Sequence, residues 1–237
     1  VLYGLLKHVL VGPVLRVGFH PWVEGLEHLP AEGPAILASN HLSFSDSIFL
    51  PLVAPRRITF MAKAEYFTTP GVRGRMTASV MRAAGQVPVD RSGGRGADDA
   101  IRTGIELLRS GELLGIYPEG TRSPDGKLYR GRTGVARMAL EAQVPVIPVA
   151  MIDTDKVQPP GQVVPNLGRV GVVLGAPLEF SRYAGMETDR LVLRAVTDEI
   201  MYAILALSGQ EYEDVYATTA KARLARAQRE SGGRDAA

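Results

Sequence analysis

Short apolar runs alternate along the chain with stretches whose apolar residues recur every three or four positions. The runs at 34–39 (PAILAS), 57–62 (RITFMA), 86–90 (QVPVD), 112–117 (ELLGIY), 144–151 (VPVIPVAM) and 170–175 (VGVVLG) read as strands. Pro145 and Pro148 put the fifth of these at a sheet edge or a bend. Helical readings fall between them. One covers the run from Ile48 to Val53, with Asp46 in its first turn, and another covers 71–84. A third runs from Ala97 to Ser110, where Ala97, Ile101, Ile105 and Leu108 share a face and Gly111 is a stop. Gly134–Ala142 is a fourth, and Leu191, Ala195, Val196, Ile200, Ala203, Ile204 and Leu207 mark a long amphipathic fifth. Turn formers fill 92–96 and 118–127.

Strands alternating with helices are the α/β signature. The expected fold is a single open mixed sheet flanked by helices, preceded by an N-terminal amphipathic helical segment. Three parts are expected: an apolar helical segment at 1–20, a main domain at 21–215, and a charged Ala/Arg/Lys-rich tail at 216–237 that frays or is disordered. Polar residues gather where the strands end, which is where open α/β sheets hold ligands.

The chain's 237 residues suit one domain or at most two. It contains no cysteine, which excludes disulfides, Cys-ligated zinc, iron–sulfur clusters and a Cys nucleophile, and fits a reducing compartment. The formal charge is only +2, but eight basic residues and two acids between Arg56 and Arg95 make that stretch +6. Such a stretch attracts phosphates, anionic lipid heads or nucleic acid, or is simply a solvated face. Nucleic acid is disfavoured because the interleaved aromatics of a stacking platform are missing. No run reaches the ~20 apolar residues of a spanning helix. The N-terminal VLYGLLKHVLVGPVLRVGF, broken by Lys7, His8, Pro13 and Arg16, fits either a helix lying in a membrane interface or an ordinary packing helix. Val1 is not an initiator methionine, which leaves room for a segment upstream.

Four blocks carry candidate chemistry. The first is Asn40-His41-Leu42-Ser43-Phe44-Ser45-Asp46. A turn and a first helical turn can bring Asp46 back to the imidazole, fixing its tautomer and making the other nitrogen a base. Taken alone, the same residues read equally as a helix cap and a satisfied turn histidine. A metal is disfavoured, since no second ligand pair sits at the right spacing. The second block, Gly85 to Arg91, ends a strand in Asp90-Arg91, which in isolation is a surface ion pair. The third is Tyr117-Pro118-Glu119-Gly120-Thr121-Arg122-Ser123. Gly120 permits a tight loop whose amides can meet an anion, and Arg122 offers a planar fork suited to phosphate. The fourth, Val144 to Val149, is a core strand or the wall of an acyl channel.

In sequence and in order, these four blocks resemble the four motifs of the glycerolipid acyltransferases, the PlsC-like family of 1-acyl-sn-glycerol-3-phosphate acyltransferase. The resemblance spans about residues 34–180. It implies that His41 is the general base and Asp46 its orienting carboxylate. It implies further that Arg91 and Arg122 bind phosphate, that Glu119, Gly120 and Thr121 belong to the acceptor site, and that Lys63, in Ala62-Lys63-Ala64-Glu65, lies near the phosphate. Two positions depart from the family pattern: Tyr66, where Leu is usual, and Pro88, where a bulky residue is common.

The implied reaction moves an acyl group from acyl-CoA or acyl carrier protein to the hydroxyl of lysophosphatidic acid, giving phosphatidic acid in phospholipid biosynthesis. The hydroxyl attacks the thioester directly, with no acyl-enzyme, metal or other cofactor. Glycerol 3-phosphate or another lysophospholipid is an alternative acceptor, and a non-catalytic phosphatidate-binding module is the alternative from another class. A serine hydrolase is disfavoured because the Gly-x-Ser-x-Gly elbow is missing. The expected partners are the lysophospholipid, the thioester donor and an anionic membrane surface, not nucleic acid. The expected location is the cytoplasmic side of the cell membrane, peripheral or monotopic.

Overall fold

The computed structural model describes residues 4, 7, 9, 11–83, 85–89, 96–159, 162 and 164–232. Seven strands form one mixed sheet: β1 (Trp22–Glu24), β2 (Ala35–Ser39), β3 (Ile58–Lys63), β4 (Gln86–Val89), β5 (Leu113–Ile116), β7 (Val146–Ile152) and β8 (Gly171–Leu174), in the spatial order β1-β8-β7-β2-β5-β3-β4. The run β7-β2-β5-β3-β4 is parallel, β8 is antiparallel to β7, and β1 is parallel to β8. A separate two-stranded sheet pairs β6 (Leu128–Tyr129) with β9 (Tyr212–Glu213).

Every residue of β2 is buried because both faces of the sheet are covered. Ile36 and Ala38 point into a core built with α5 (Gly96–Arg109), α6 (Gly134–Ala142) and α8 (Arg190–Ser208). Ala35 and Leu37 point the other way, towards Phe19 of α1 (Val11–Phe19) and Phe49, Leu50 and Leu52 of α2 (Asp46–Val53). A strand buried on both faces reads as an unbroken apolar run, which is why these strands were legible. Helices α5 and α6 approach closely where Gly104 faces Met138; a Cβ at Gly104 would lie 2.3 Å from the Met138 sulfur.

Three expectations need correction. Strand β7 is internal, not at an edge. Its Pro148 carbonyl accepts from Gly175 N at 2.8 Å, one position past the last β7·β8 pair, Val149 with Leu174. Pro148 thus faces Gly175 just past the regular end of β8, where only the reciprocal bond is missing, and pairing resumes between Val146 and Leu178. The buried face of α8 is Leu193, Val196, Thr197, Ile200, Met201 and Ile204, while Leu191 is 82% exposed in the first turn. The tail is helical over Ala217–Gly232 (α9), with Ala217 and Ala220 buried against Tyr129. Its small side chains let a highly charged helix dock without a conventional apolar stripe. The basic stretch from Arg56 is also divided by the fold. Arg56 donates to Pro30 O and Gly33 O at the amino end of β3, away from the strand ends that carry the candidate site. Two short helices, α3 (Glu65–Thr68) and α7 (Thr154–Val157), and the longer α4 (Gly71–Ala83) complete the described elements used below.

Candidate active site

The first block leaves the carboxyl end of β2, the third leaves the carboxyl end of β5, Lys63 ends β3, and the second block runs along β4. These four strands are parallel and adjacent, so the sheet delivers all of these segments to one edge. That edge, at the carboxyl ends, is where open α/β sheets bind ligands.

Asp46 is wholly buried, and its Oδ2 lies 2.8 Å from His41 Nδ1, whose side chain is 17% exposed. The same oxygen accepts from Leu42 N and Ser43 N, each at 2.8 Å. Asp46 thus closes the turn and steadies the imidazole with one oxygen. An ionised carboxylate can only accept, which puts the proton on Nδ1 and leaves Nε2 as the accepting nitrogen. The Tyr117 ring stacks on the imidazole, centroids 3.8 Å apart and 9° from parallel. Its hydroxyl bonds with Ser47 Oγ at 2.8 Å. The ring is therefore held in plane by Asp46 and from one face by Tyr117.

The main chain of His41 is gripped by the third block. Glu119 Oε1 accepts from His41 N at 3.0 Å, and Ser123 N donates to His41 O at 2.7 Å. Glu119 Oε2 accepts from Tyr129 N at 3.0 Å. With 1% exposure and both oxygens engaged by backbone amides, Glu119 splices the two loops together. Burial, the dominant cause, pushes its carboxyl up to about 8 against the pull of those two amide bonds. Gly120 adopts φ 75°, and its N–H closes onto Tyr117 O at 3.0 Å, so that amide serves the turn and not an anion. Arg122 is exposed at the loop's rim, and Thr121 Oγ1 accepts from Lys221 Nζ of α9 at 2.7 Å.

Arg91 lies outside the described residues, and of Lys63 only the backbone, paired with Val89, is described. The fourth block is core: Val146, Ile147 and Val149 are fully buried. Sequence reasoning missed three contributors. Asn40 is an internal anchor, its amide bracketing Met151 through Met151 N at 2.7 Å and Met151 O at 3.1 Å. Tyr117 was visible as the first residue of the third block, but its stacking was not. Lys221 carried no signal, because its segment reads as a solvated tail. Among the described residues no three His, Asp or Glu side chains converge as a metal site would require.

Fold and site together define a class: an α/β protein with a carboxylate-steadied histidine and a cationic loop at the carboxyl edge of its sheet. A family model described as Acyltransferase matches residues 20–152, more than half of the chain, and the chain belongs to that acyltransferase family. It is 34% identical, over 68% of its length, to a chloroplastic 1-acyl-sn-glycerol-3-phosphate acyltransferase of Arabidopsis thaliana, and spans 44% of that relative. It is 30% identical to the 1-acyl-sn-glycerol-3-phosphate acyltransferase of Bacillus subtilis, over 78% of this chain and 86% of that one. Among solved structures, the 1-acyl-sn-glycerophosphate (LPA) acyltransferase PlsC of Thermotoga maritima aligns with a TM-score of 0.59 and 29% identity, covering 79% of this chain and 71% of that one.

Proposed function

We propose that this chain transfers a fatty acyl group from a thioester donor, acyl-CoA or acyl carrier protein, to the free hydroxyl of lysophosphatidic acid, yielding phosphatidic acid. The observation that carries this is the His41–Asp46 pair, 2.8 Å apart at the carboxyl edge and spliced through Glu119 to the Gly120–Arg122 loop. Simple binding of a phospholipid has no use for a buried carboxylate that sets an imidazole's tautomer; deprotonating a hydroxyl does. Nε2 takes the hydroxyl proton as the oxygen attacks the thioester carbonyl. The C–S bond breaks, the thiolate leaves, and His41 returns the proton to it. No covalent acyl-enzyme forms, and no cofactor or metal takes part. Arg122 and, by the family resemblance, Arg91 and Lys63 hold the acceptor's phosphate so that the hydroxyl sits against Nε2. Positioning of this kind contributes several kcal/mol.

The acceptor resides in a lipid surface, so the site must reach one. Among the described residues no helix is long and apolar enough to cross a membrane. Instead, α1 exposes Val14 (69%) and Val17 (74%) one turn apart, and α4 exposes Val72 and Met76 beside Arg75. These faces support a peripheral association with anionic membrane; the lack of cysteine is compatible with its cytoplasmic side.

The test is turnover of lysophosphatidic acid with labelled acyl-CoA, read as phosphatidic acid by mass spectrometry. His41→Ala should cut kcat by at least ~10²–10⁴-fold at unchanged melting temperature. Near-normal kcat in that variant rejects the base assignment, and a wild-type chain that makes no product rejects the function.

A further inference from the structure

The geometry points to a cation from the far end of the chain: Lys221 of α9 completes, with Thr121 and Arg122, a subsite for a phosphate monoester. Three observations converge on it. First, α9 is docked beside the third block, not trailing from it. Ala217 and Ala220 pack on Tyr129, whose N–H is bound by Glu119, and Lys221 reaches back to Thr121 Oγ1 at 2.7 Å. Since Glu119 and Ser123 grip the main chain of His41 on either side of that loop, the ammonium is tied to the frame that positions the base.

Second, it makes no ion pair. Among the described residues, no carboxylate comes within ion-pair distance of Lys221 or Arg122, whereas Lys127 is paired with Glu211 and Glu213 and Arg130 with Asp214; Arg132, beside Gly120, likewise makes no ion pair and donates to Thr218 Oγ1. The acid closest in sequence to this loop, Glu119, is committed to two backbone amides. Two cations held near each other without an anion repel, and a phosphate monoester, carrying ≈ −1.5 to −2 charges, relieves that repulsion. Partial burial and, secondarily, Arg122 lower the lysine's affinity for its proton, and the buried Glu119 offsets them only in part.

Third, the donor inventory fits. Lys221 is a three-donor ammonium with one bond spent on Thr121, and Arg122 presents a planar fork, so both retain free N–H groups for phosphate oxygens. The phosphate can belong to the acceptor's head group or be the 3′-phosphate of a CoA donor. Its place in the reaction rests on the acyltransferase assignment; its existence does not.

The full chain is therefore compared with Lys221→Met and Lys221→Arg by calorimetric titration with glycerol 3-phosphate, a probe that needs no turnover. Lys221→Met should weaken binding about 10-fold, the scale of one charge-assisted bond, and Lys221→Arg should largely restore it. In kinetics, Lys221→Met should raise KM with little change in kcat. A rise for lysophosphatidic acid assigns the subsite to the acceptor. A rise for acyl-CoA that disappears with acyl-dephospho-CoA assigns it to the donor. Unchanged glycerol 3-phosphate affinity overturns the proposal. So does a fall in melting temperature whose phosphate-binding loss Lys221→Arg fails to rescue, since Lys221 is then only a strut for α9. So does weakened binding with neither KM moved. A wild-type chain that binds the probe through Lys221 yet transfers no acyl group keeps the subsite and rejects the function.

Discussion

Glu119 makes the stability of the site depend on pH in an unusual direction. Its carboxyl goes from an ordinary 4.5 to about 8 on folding, chiefly through burial. Between those values the folded chain holds a proton that the unfolded chain releases. The contribution is therefore complete below pH 4.5 and declines as pH rises through about 8. At about 1.36 kcal/mol per tenfold change in proton affinity, the loss across that window reaches up to about 5 kcal/mol. That is large beside the ~5–15 kcal/mol of a typical domain. Glu119→Gln keeps the shape but cannot ionise, and it turns an NH₂ towards one of two backbone N–H groups, those of His41 or Tyr129. The mismatch costs about 1–3 kcal/mol at every pH. Urea unfolding of both proteins from about pH 5 to pH 8 should show wild type losing stability relative to Glu119→Gln throughout, with the variant ahead by pH 8, because the several kcal/mol that wild type loses exceed the mismatch cost. Parallel stability profiles would refute both the neutral form of Glu119 and its burial as the cause.

Asp46→Asn removes a full charge from the acceptor that holds His41 Nδ1, Leu42 N and Ser43 N together; kcat should fall ~10²–10⁴-fold and stability by about 1–3 kcal/mol, checked by steady-state kinetics and thermal melting, and retention of either would separate the base from its turn. Val14→Asp with Val17→Asp should abolish flotation with anionic vesicles at unchanged melting temperature, because both side chains are exposed whereas Phe19 of the same helix is core; undiminished flotation removes α1 from the membrane face.

Local chemistry made part of the site readable. Asn40, His41 and Asp46 span seven residues, so spacing allowed the imidazole–carboxylate pair but left a helix cap equally open, and the resemblance to the family motifs chose between them. The apolar runs of β2, β5 and β7 announced themselves because two-sided burial tolerates no polar interruption. Phase within α8 was harder to read: Leu191 is apolar at a helical position, yet it lies in solvent while the buried face begins at Leu193. The place of Pro148 likewise depended on where β8 stops, which is a property of the neighbouring strand.

Sequence alone determined the order of the long strands and helices of the main sheet and, through the family motifs, pointed to the His41–Asp46 pair, since each arises from residues a few positions apart. Only the tertiary structure decided that Glu119 is a splice between loops, that Tyr117 lies flat on the imidazole, and that a charged tail becomes a helix delivering Lys221 to Thr121. Those partners are separated by 70 or more residues of chain, and what joins them is the parallel sheet that brings the carboxyl ends of β2 and β5 to one edge.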